Sequence, residues 1–308
     1  MPKIGNIILS NSIISAPLAG ISDYSFRQLM RDFGVGLTYS EMISTDGVYR
    51  NNKKSKTFSF VKNEHPVNTQ IFGHNPEYMA YAASFFEDQG ADMIDINFGC
   101  PVPKVVKHGS GAALARDLQK ASQVICAVRK VLSIPLTIKI RLGWCKNEEN
   151  YLELASIAEK EGVNAICLHA RYATQLYTGV SDWSKVKLLK NSLTIPVIGS
   201  GDLKTTSDLA KSITEYGADL VMVGRGLMGN PQLISSFLKT PSPPLKEIIV
   251  AHFNYLLAYH GEPKACKLIR KFFPKYIKSS PNAKELKMKC NLVDNSAAFF
   301  ALLEDIIV

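Results

Sequence analysis

The run DMIDINFGCPVPK, Asp92 to Lys104, opens on alternating apolar and polar residues and ends on a cysteine held between a glycine and a proline. The alternation reads as a strand, and the glycine and proline mark the place where the chain must leave it. A structural cysteine would sit inside the apolar run. Cys100 sits just past it.

The same unit, a short apolar run followed by turn residues and then helical spacing, recurs along the chain. The runs are IISAPLAG from Ile13, GLTYSEMIS from Gly36, VNTQIFG from Val67, DMIDINFG from Asp92, LTIKIRLG from Leu136, AICLHAR from Ala165, IPVIGSGD from Ile195 and LVMVGRG from Leu220. Between them lie helical segments such as NPEYMAYAASFFEDQG (Asn75 to Gly90), with an Asn-Pro start and a terminal glycine, and NYLELASIAEKEG (Asn150 to Gly162). Eight β-α units predict an α/β fold, a closed (β/α)8 TIM barrel, whose usual length is about 250 residues. The competing fold is a doubly wound open sheet, but six strands would suffice for it and no GxGxxG follows the first strand.

The alternation stops at TPSPP, Thr240 to Pro244. Beyond it KEIIVAHFNYLLAYH and EPKACKLIRKFFPKYIK read as amphipathic helices. The expected organisation is a barrel over residues 1–240 and a small helical domain over 245–308. The formal net charge of +9 in 308 residues favours a polyanionic or acidic partner. Between Lys264 and Lys289 nine basic residues, among them Lys267, Arg270 and Lys271, face one acid, Glu285, with Phe272, Phe273 and Tyr276 interleaved as apolar anchors. A solvated helix face is the plainer reading of such a run.

The six cysteines are scattered without zinc spacing or a disulfide framework, so neither a metal site nor a disulfide scaffold is expected. Asn6, Ser10, Asn11 and Ser12 interrupt the apolar N-terminus, and nothing approaches the roughly 20 apolar residues of a membrane span. A soluble, cytoplasmic protein is expected.

In a (β/α)8 barrel the chemistry gathers at the C-terminal strand ends. Those ends read Pro17-Leu18-Ala19-Gly20, Glu41, Gln70, Asn97 to Cys100, Lys139 with Arg141, His169 with Arg171, Ser200-Gly201-Asp202 and Gly224-Arg225-Gly226. Glycines at the seventh and eighth strand ends are where such barrels bind phosphate through backbone N–H groups, and Arg225 adds a charge-assisted contact. Lys139 alternates with Ile138 and Ile140, so it faces either the barrel mouth, where a buried ammonium calls for an anionic ligand, or the outer helix layer.

Taken together, APLAGISDYSFR (Ala16 to Arg27), GLTYSEMIS, DINFGCP, TIKIRLGW and HARYATQLYTG resemble the bacterial tRNA-dihydrouridine synthases, most nearly their B-type branch. The resemblance implies FMN held by Pro17, Leu18, Ala19, Gln70, Lys139 and His169 around its ring and by Ser200, Gly201, Asp202, Gly224 and Arg225 near its phosphate. It implies Cys100 as the catalytic cysteine and Asn97 as a ligand of the uracil. Arg171 and Lys104 near the pocket, with Lys267, Arg270 and Lys271 on the tail, complete the side facing tRNA. Three positions depart from the family pattern: Ser200 for the usual asparagine, Leu18 for methionine and Tyr172 for threonine.

The implied reaction is reduction of D-loop uridines to 5,6-dihydrouridine, with NADPH or NADH as reductant, a hydride from flavin N5 and a proton from Cys100. Two other functions stay open on the sequence. One is an FMN barrel acting on a free small molecule, as dihydroorotate dehydrogenases do; the other is a non-catalytic tRNA-binding protein.

Overall fold

The computed structural model describes residues 1–50 and 64–306. Eight parallel strands form a closed ring: β1 (Ile13–Ser15), β2 (Leu37–Tyr39), β3 (Val67–Phe72), β4 (Met93–Asn97), β5 (Leu136–Arg141), β6 (Ala165–His169), β7 (Val197–Ser200) and β8 (Leu220–Val223). Each pairs with the next, and β8 closes on β1 through Val221↔Ile13, Met222↔Ile14 and Val223↔Ser15. Closure excludes the open sheet. A two-residue strand, Ile43–Ser44, extends the edge of β3.

The crossovers carry α1 (Tyr24–Asp32), α2 (Thr45–Arg50), α3 (Pro76–Asp88), α4 (Pro103–Val106), α5 (Leu118–Val131), α6 (Tyr151–Lys160), α7 (Trp183–Ser192), α8 (Thr206–Thr214) and α9 (Gln232–Leu238). Their starts are chemically marked. Asn75 accepts from the N–H groups of Glu77 and Tyr78 with Pro76 in the first turn of α3, Asp117 caps α5, and Thr205 forms a capping box with Asp208 on α8.

Two apolar cores follow from the period of two along the strands. One alternation set, Ile14, Leu37, Met93, Ala165, Cys167, Ile198, Leu220 and Met222, packs in the barrel lumen, and Ile4 and Leu9 of the N-terminal segment join it. The opposite set, including Ile13, Ile71, Ile94, Ile96, Ile138, Ile140, Ile166 and Leu168, packs under the helices.

After the extended stretch Thr240–Pro244 come α10 (Leu245–His260), α11 (Glu262–Tyr276), α12 (Ala283–Leu292) and α13 (Ser296–Glu304). These helices pack on α1 of the barrel. Phe26 stacks on Phe272 with ring centroids 6.0 Å apart, Tyr255 Oη donates to Asp32 Oδ2 at 2.7 Å, and His260 Nε2 lies 2.7 Å from Asp23 Oδ2. His252 is buried between them, its ring 4.5 Å from Phe272 and its Nδ1 2.9 Å from Tyr276 Oη; burial pulls its pKa down to about 4, so it is neutral. Among the described residues no helix is long and apolar enough to cross a membrane.

Phe272, Phe273 and Tyr276 correct one expectation. They are 1%, 0% and 5% exposed, so they fasten α11 to the protein and offer nothing to an RNA. Lysines occupy the other face of the same helix, and Lys278 follows just past its end. Lys264, Lys267, Lys271, Lys275 and Lys278 are all exposed.

Candidate active site

A cavity of about 400 Å³ opens at the C-terminal ends of the strands. Pro17, Leu18 and Ala19 bound it after β1, Gln70 rises from β3, Asn97 and Cys100 from the end of β4, Lys139 and Arg141 from β5, and His169 from β6. Ser200, Gly201 and Asp202 from the end of β7 and Gly224 and Arg225 from the end of β8 complete the lining, Gly224 lying against Leu18. Thirteen positions to which the resemblance gives a role, from Pro17 to Arg225, thus meet on one concavity, with Arg141 and Gly226 beside them. Five others do not: Arg171, Lys104, Lys267, Arg270 and Lys271 are not among its lining.

The loop carrying Cys100 is held from both sides of its peptide. Asn97 Oδ1 accepts from the N–H groups of Gly99 at 3.1 Å and Cys100 at 2.8 Å, while the Cys100 carbonyl accepts from Ala112 N–H at 3.0 Å. Gly111, at φ +60°, passes so close that a Cβ there would stand 2.6 Å from the Cys100 carbonyl oxygen. Burial pushes the thiol pKa up, against the pull of the Val102 N–H, Arg141 and Lys139, so the sulfur keeps its proton at neutral pH. Cys167, by contrast, is fully buried in the lumen with its pKa pushed up to about 12.

Positive charge dominates the cavity. Lys139 forms no ion pair among the described residues. Arg141 donates Nε to Gly99 O and Nη1 to Tyr172 O, both at 2.9 Å; burial lowers its pKa to about 10, which leaves it charged. His169 is driven neutral, first by burial and then by Lys139, Arg141, Arg171 and Arg225 around it. Arg171 Nη1 lies 3.3 Å from His169 Nε2, and a guanidinium only donates, so Nε2 accepts and Nδ1 carries the ring proton.

Arg171 does something other than meet a substrate. It is 1% exposed and donates to both Asp202 carboxylate oxygens at 2.7 and 2.6 Å, to Ser181 Oγ at 2.7 Å and to the carbonyls of Thr178 and Gly179. Burial would raise the Asp202 pKa, but these bonds and the Ser181 N–H outweigh it and hold the carboxyl below its ordinary value. Arg171 is a positioning residue for the strand-seven wall. Arg270 is likewise occupied, donating to Val293 O at 2.6 Å at the end of α12. Lys104 and Lys267 are exposed, and Lys271 reaches back to Gly20 O at 3.3 Å, next to the Pro17–Ala19 wall.

The strand-seven and strand-eight ends leave room for close approach of a ligand to the backbone. Gly201 sits at φ +124°, where a Cβ would stand 2.1 Å from Ser181 Oγ, so only glycine fits. Arg225 and Gly226 open the 3-10 turn Arg225–Leu227, whose first N–H groups have no partner within the turn. Ser200, in place of asparagine, turns its hydroxyl to Met222 O at 3.1 Å.

Arg141 and Tyr177, to which the motifs give no role, also line the cavity. Arg141 carried a signal, since it shares the inward face of β5 with Lys139. Tyr177 carried none: it lies in the loop past β6, and only the fold sets its ring 4.8 Å from the Arg225 guanidinium and 5.7 Å from that of Arg141.

Fold and site together define a (β/α)8-barrel protein with a cationic cavity at the strand ends and a thiol in its lining. The sequence profile of the family described as dihydrouridine synthase (Dus) matches residues 14–307. A probable tRNA-dihydrouridine synthase of Rickettsia typhi is 37% identical, over 97% of this chain and 95% of its own. tRNA-dihydrouridine synthase B of Pasteurella multocida is 38% identical over 91% and 88%, and that of Pseudomonas aeruginosa 33% over 96% and 92%. The chain belongs to the dihydrouridine synthase family. At the level of fold alone it is similar to 2-naphthoyl-CoA reductase (TM-score 0.60, 12% identity, 77% of this chain and 51% of that one) and to histamine dehydrogenase of Rhizobium sp. 4-9 (TM-score 0.57, 14% identity, 82% and 50%). The chain spans about half the length of each of these two structures.

Proposed function

We propose that this protein reduces uridines in the D-loop of tRNA to 5,6-dihydrouridine, working in the cytoplasm with FMN in the strand-end cavity and NADPH or NADH as reductant. The observation that carries the reading is a protonated thiol, Cys100, in the lining of a cationic cavity at the strand ends. The residues present fit FMN: Gly201, Ser200, Asp202, Gly224 and Arg225 would hold its phosphate, Pro17, Leu18 and Ala19 its ring, and Gln70, Lys139 and His169 the polar edge. When bound, FMN supplies the hydride at its N5.

Cys100 gives its proton to the other carbon of the reduced double bond. Its raised pKa keeps that proton on sulfur until the base arrives, and Lys139 and Arg141 then stabilise the thiolate left behind. Asn97, already tied to the Cys100 loop, contributes at the base. The neutral His169 offers an Nδ1–H donor without adding charge. Residues 1–240 form the catalytic barrel and 245–308 a helical tRNA-binding domain, whose Lys267 and Lys271 meet backbone phosphates while the target nucleotide is drawn out of its stack.

The test is a map of dihydrouridine in tRNA from a strain lacking this chain, with the wild-type protein or its Cys100→Ala variant restored. Loss of the modification at D-loop sites, regained only with wild type, supports the reading. Unaltered tRNA at every site ends it.

A further inference from the structure

Behind the cavity lining lie buried polar side chains, Asp95, Thr137 and Asn68, that the reaction as described does not use. Asp95, two residues before Asn97 on β4, is 0% exposed and does not line the cavity. Its Oδ2 accepts from Gln70 Nε2 at 2.7 Å and its Oδ1 from Thr137 Oγ1 at 2.6 Å. Thr137 Oγ1 accepts in turn from Asn68 Nδ2 at 2.9 Å, which commits the hydroxyl proton to Asp95. Gln70 Oε1 accepts from Asn97 Nδ2 at 2.8 Å, and Asn97 Oδ1 holds the N–H groups of Gly99 and Cys100.

A side-chain amide can be turned end for end unless its neighbours forbid it. Here they forbid it in series. A carboxylate only accepts, so Gln70 must present its NH2 to Asp95 and its oxygen to Asn97. Asn97 must then present its NH2 to Gln70 and its oxygen to the loop. With Gln70 reversed, its oxygen would face the Asp95 carboxylate and its NH2 that of Asn97; with Asn97 reversed as well, an NH2 would face the backbone N–H groups and the Cys100 peptide would lose its anchor.

We propose that Asp95 is a positioning residue for the Cys100 thiol, acting through the fixed polarity of Gln70 and Asn97; its importance for turnover rests on the reading of Cys100 as proton donor. Asp95→Leu keeps volume and removes the acceptor. Asp95→Asn keeps an oxygen for Gln70, with Thr137 free to turn its hydroxyl toward Tyr39 Oη, 3.5 Å away.

The direct readout is site-resolved alkylation by iodoacetamide, with the half-buried Cys145 of the same molecule as internal reference. In Asp95→Leu the Cys100 rate shifts several-fold against Cys145, and kcat on tRNA falls by about tenfold to a hundredfold, the scale set by a displacement of about 1 Å, with KM for tRNA unchanged. Asp95→Asn restores both. A folded Asp95→Leu protein with wild-type Cys100 alkylation overturns the proposal, whatever its activity. Should that variant fail to fold, side-chain amide NMR of the wild-type protein decides: a Gln70 or Asn97 amide in the reverse orientation overturns it, and the stated orientation supports it. Activity retained by Cys100→Ala would instead overturn the proton-donor reading, and the alkylation result would still decide the positioning one.

Discussion

The barrel mouth and the helical tail both carry an excess of positive charge, and they come to it by different routes. At the mouth Lys139 is set by strand register, Arg141 by its bonds to Gly99 O and Tyr172 O and Arg225 by the ring of Tyr177, and they converge on one concavity. On the tail Lys264, Lys267, Lys271 and Lys275 are the solvent side of a helix whose other side, Phe272, Phe273 and Tyr276, is core. The first arrangement addresses a ligand of definite shape. The second offers a field, suited to a polyanion whose phosphates need not be matched one by one.

The larger effect is expected at the mouth. Cys100→Ala is expected to lower dihydrouridine formation by about 10²- to 10⁴-fold, the range for loss of a positioned general acid, while flavin content of the purified protein stays unchanged. An undiminished rate would reduce the mouth to a binding site.

The core side of the tail is tested by Phe272→Ala, which empties a position 1% exposed and stacked on Phe26. Destabilisation of about 3–5 kcal/mol in urea unfolding is expected. A loss below about 1 kcal/mol would mean that the tail is not fastened to the barrel through this ring.

Asp95 gives a pH test beneath the mouth. Burial raises its pKa from 3.8 to about 6, against hydrogen bonds from Thr137 and Gln70 and the charge of Lys139; Tyr39 and Cys167 are the other titratable groups around it. The folded state therefore holds this proton more tightly than the unfolded chain, so stability falls as pH rises between about 4 and 6, by on the order of 3 kcal/mol in all. Thermal melts of Asp95→Asn across that window are expected to lack this slope. A variant retaining the full wild-type slope would assign it to another group.

The smallest effect belongs to the field. Lys267→Glu with Lys271→Glu is expected to raise KM for tRNA by about tenfold and to flatten its salt dependence, with kcat within about twofold of wild type. Reductant oxidation in the absence of tRNA should not change. Equal losses with and without tRNA would place these lysines in the catalytic apparatus and erase the distinction between the two regions.

The barrel was legible in the amino-acid order, because eight apolar runs at strand length, each followed by a helical segment, leave one economical closure, and the observed strands fall within those runs. The same order also brought thirteen residues to one mouth, since strand ends and a period of two are local properties. What it could not show were contacts that depend on distant neighbours. Arg171 follows a strand end like the others, yet Asp202, Ser181 and two carbonyls from later in the chain absorb its guanidinium. Phe272 and Lys271 are adjacent in the chain, and only the docking of α11 on α1 sends one into the core and leaves the other in water. Asp95, inside the stretch that reveals the fold, looks like any polar residue of an alternating strand. Its place beneath the thiol exists only once β3, β4 and β5 lie side by side, because a hydrogen-bond chain is a property of register between strands and no single strand encodes it.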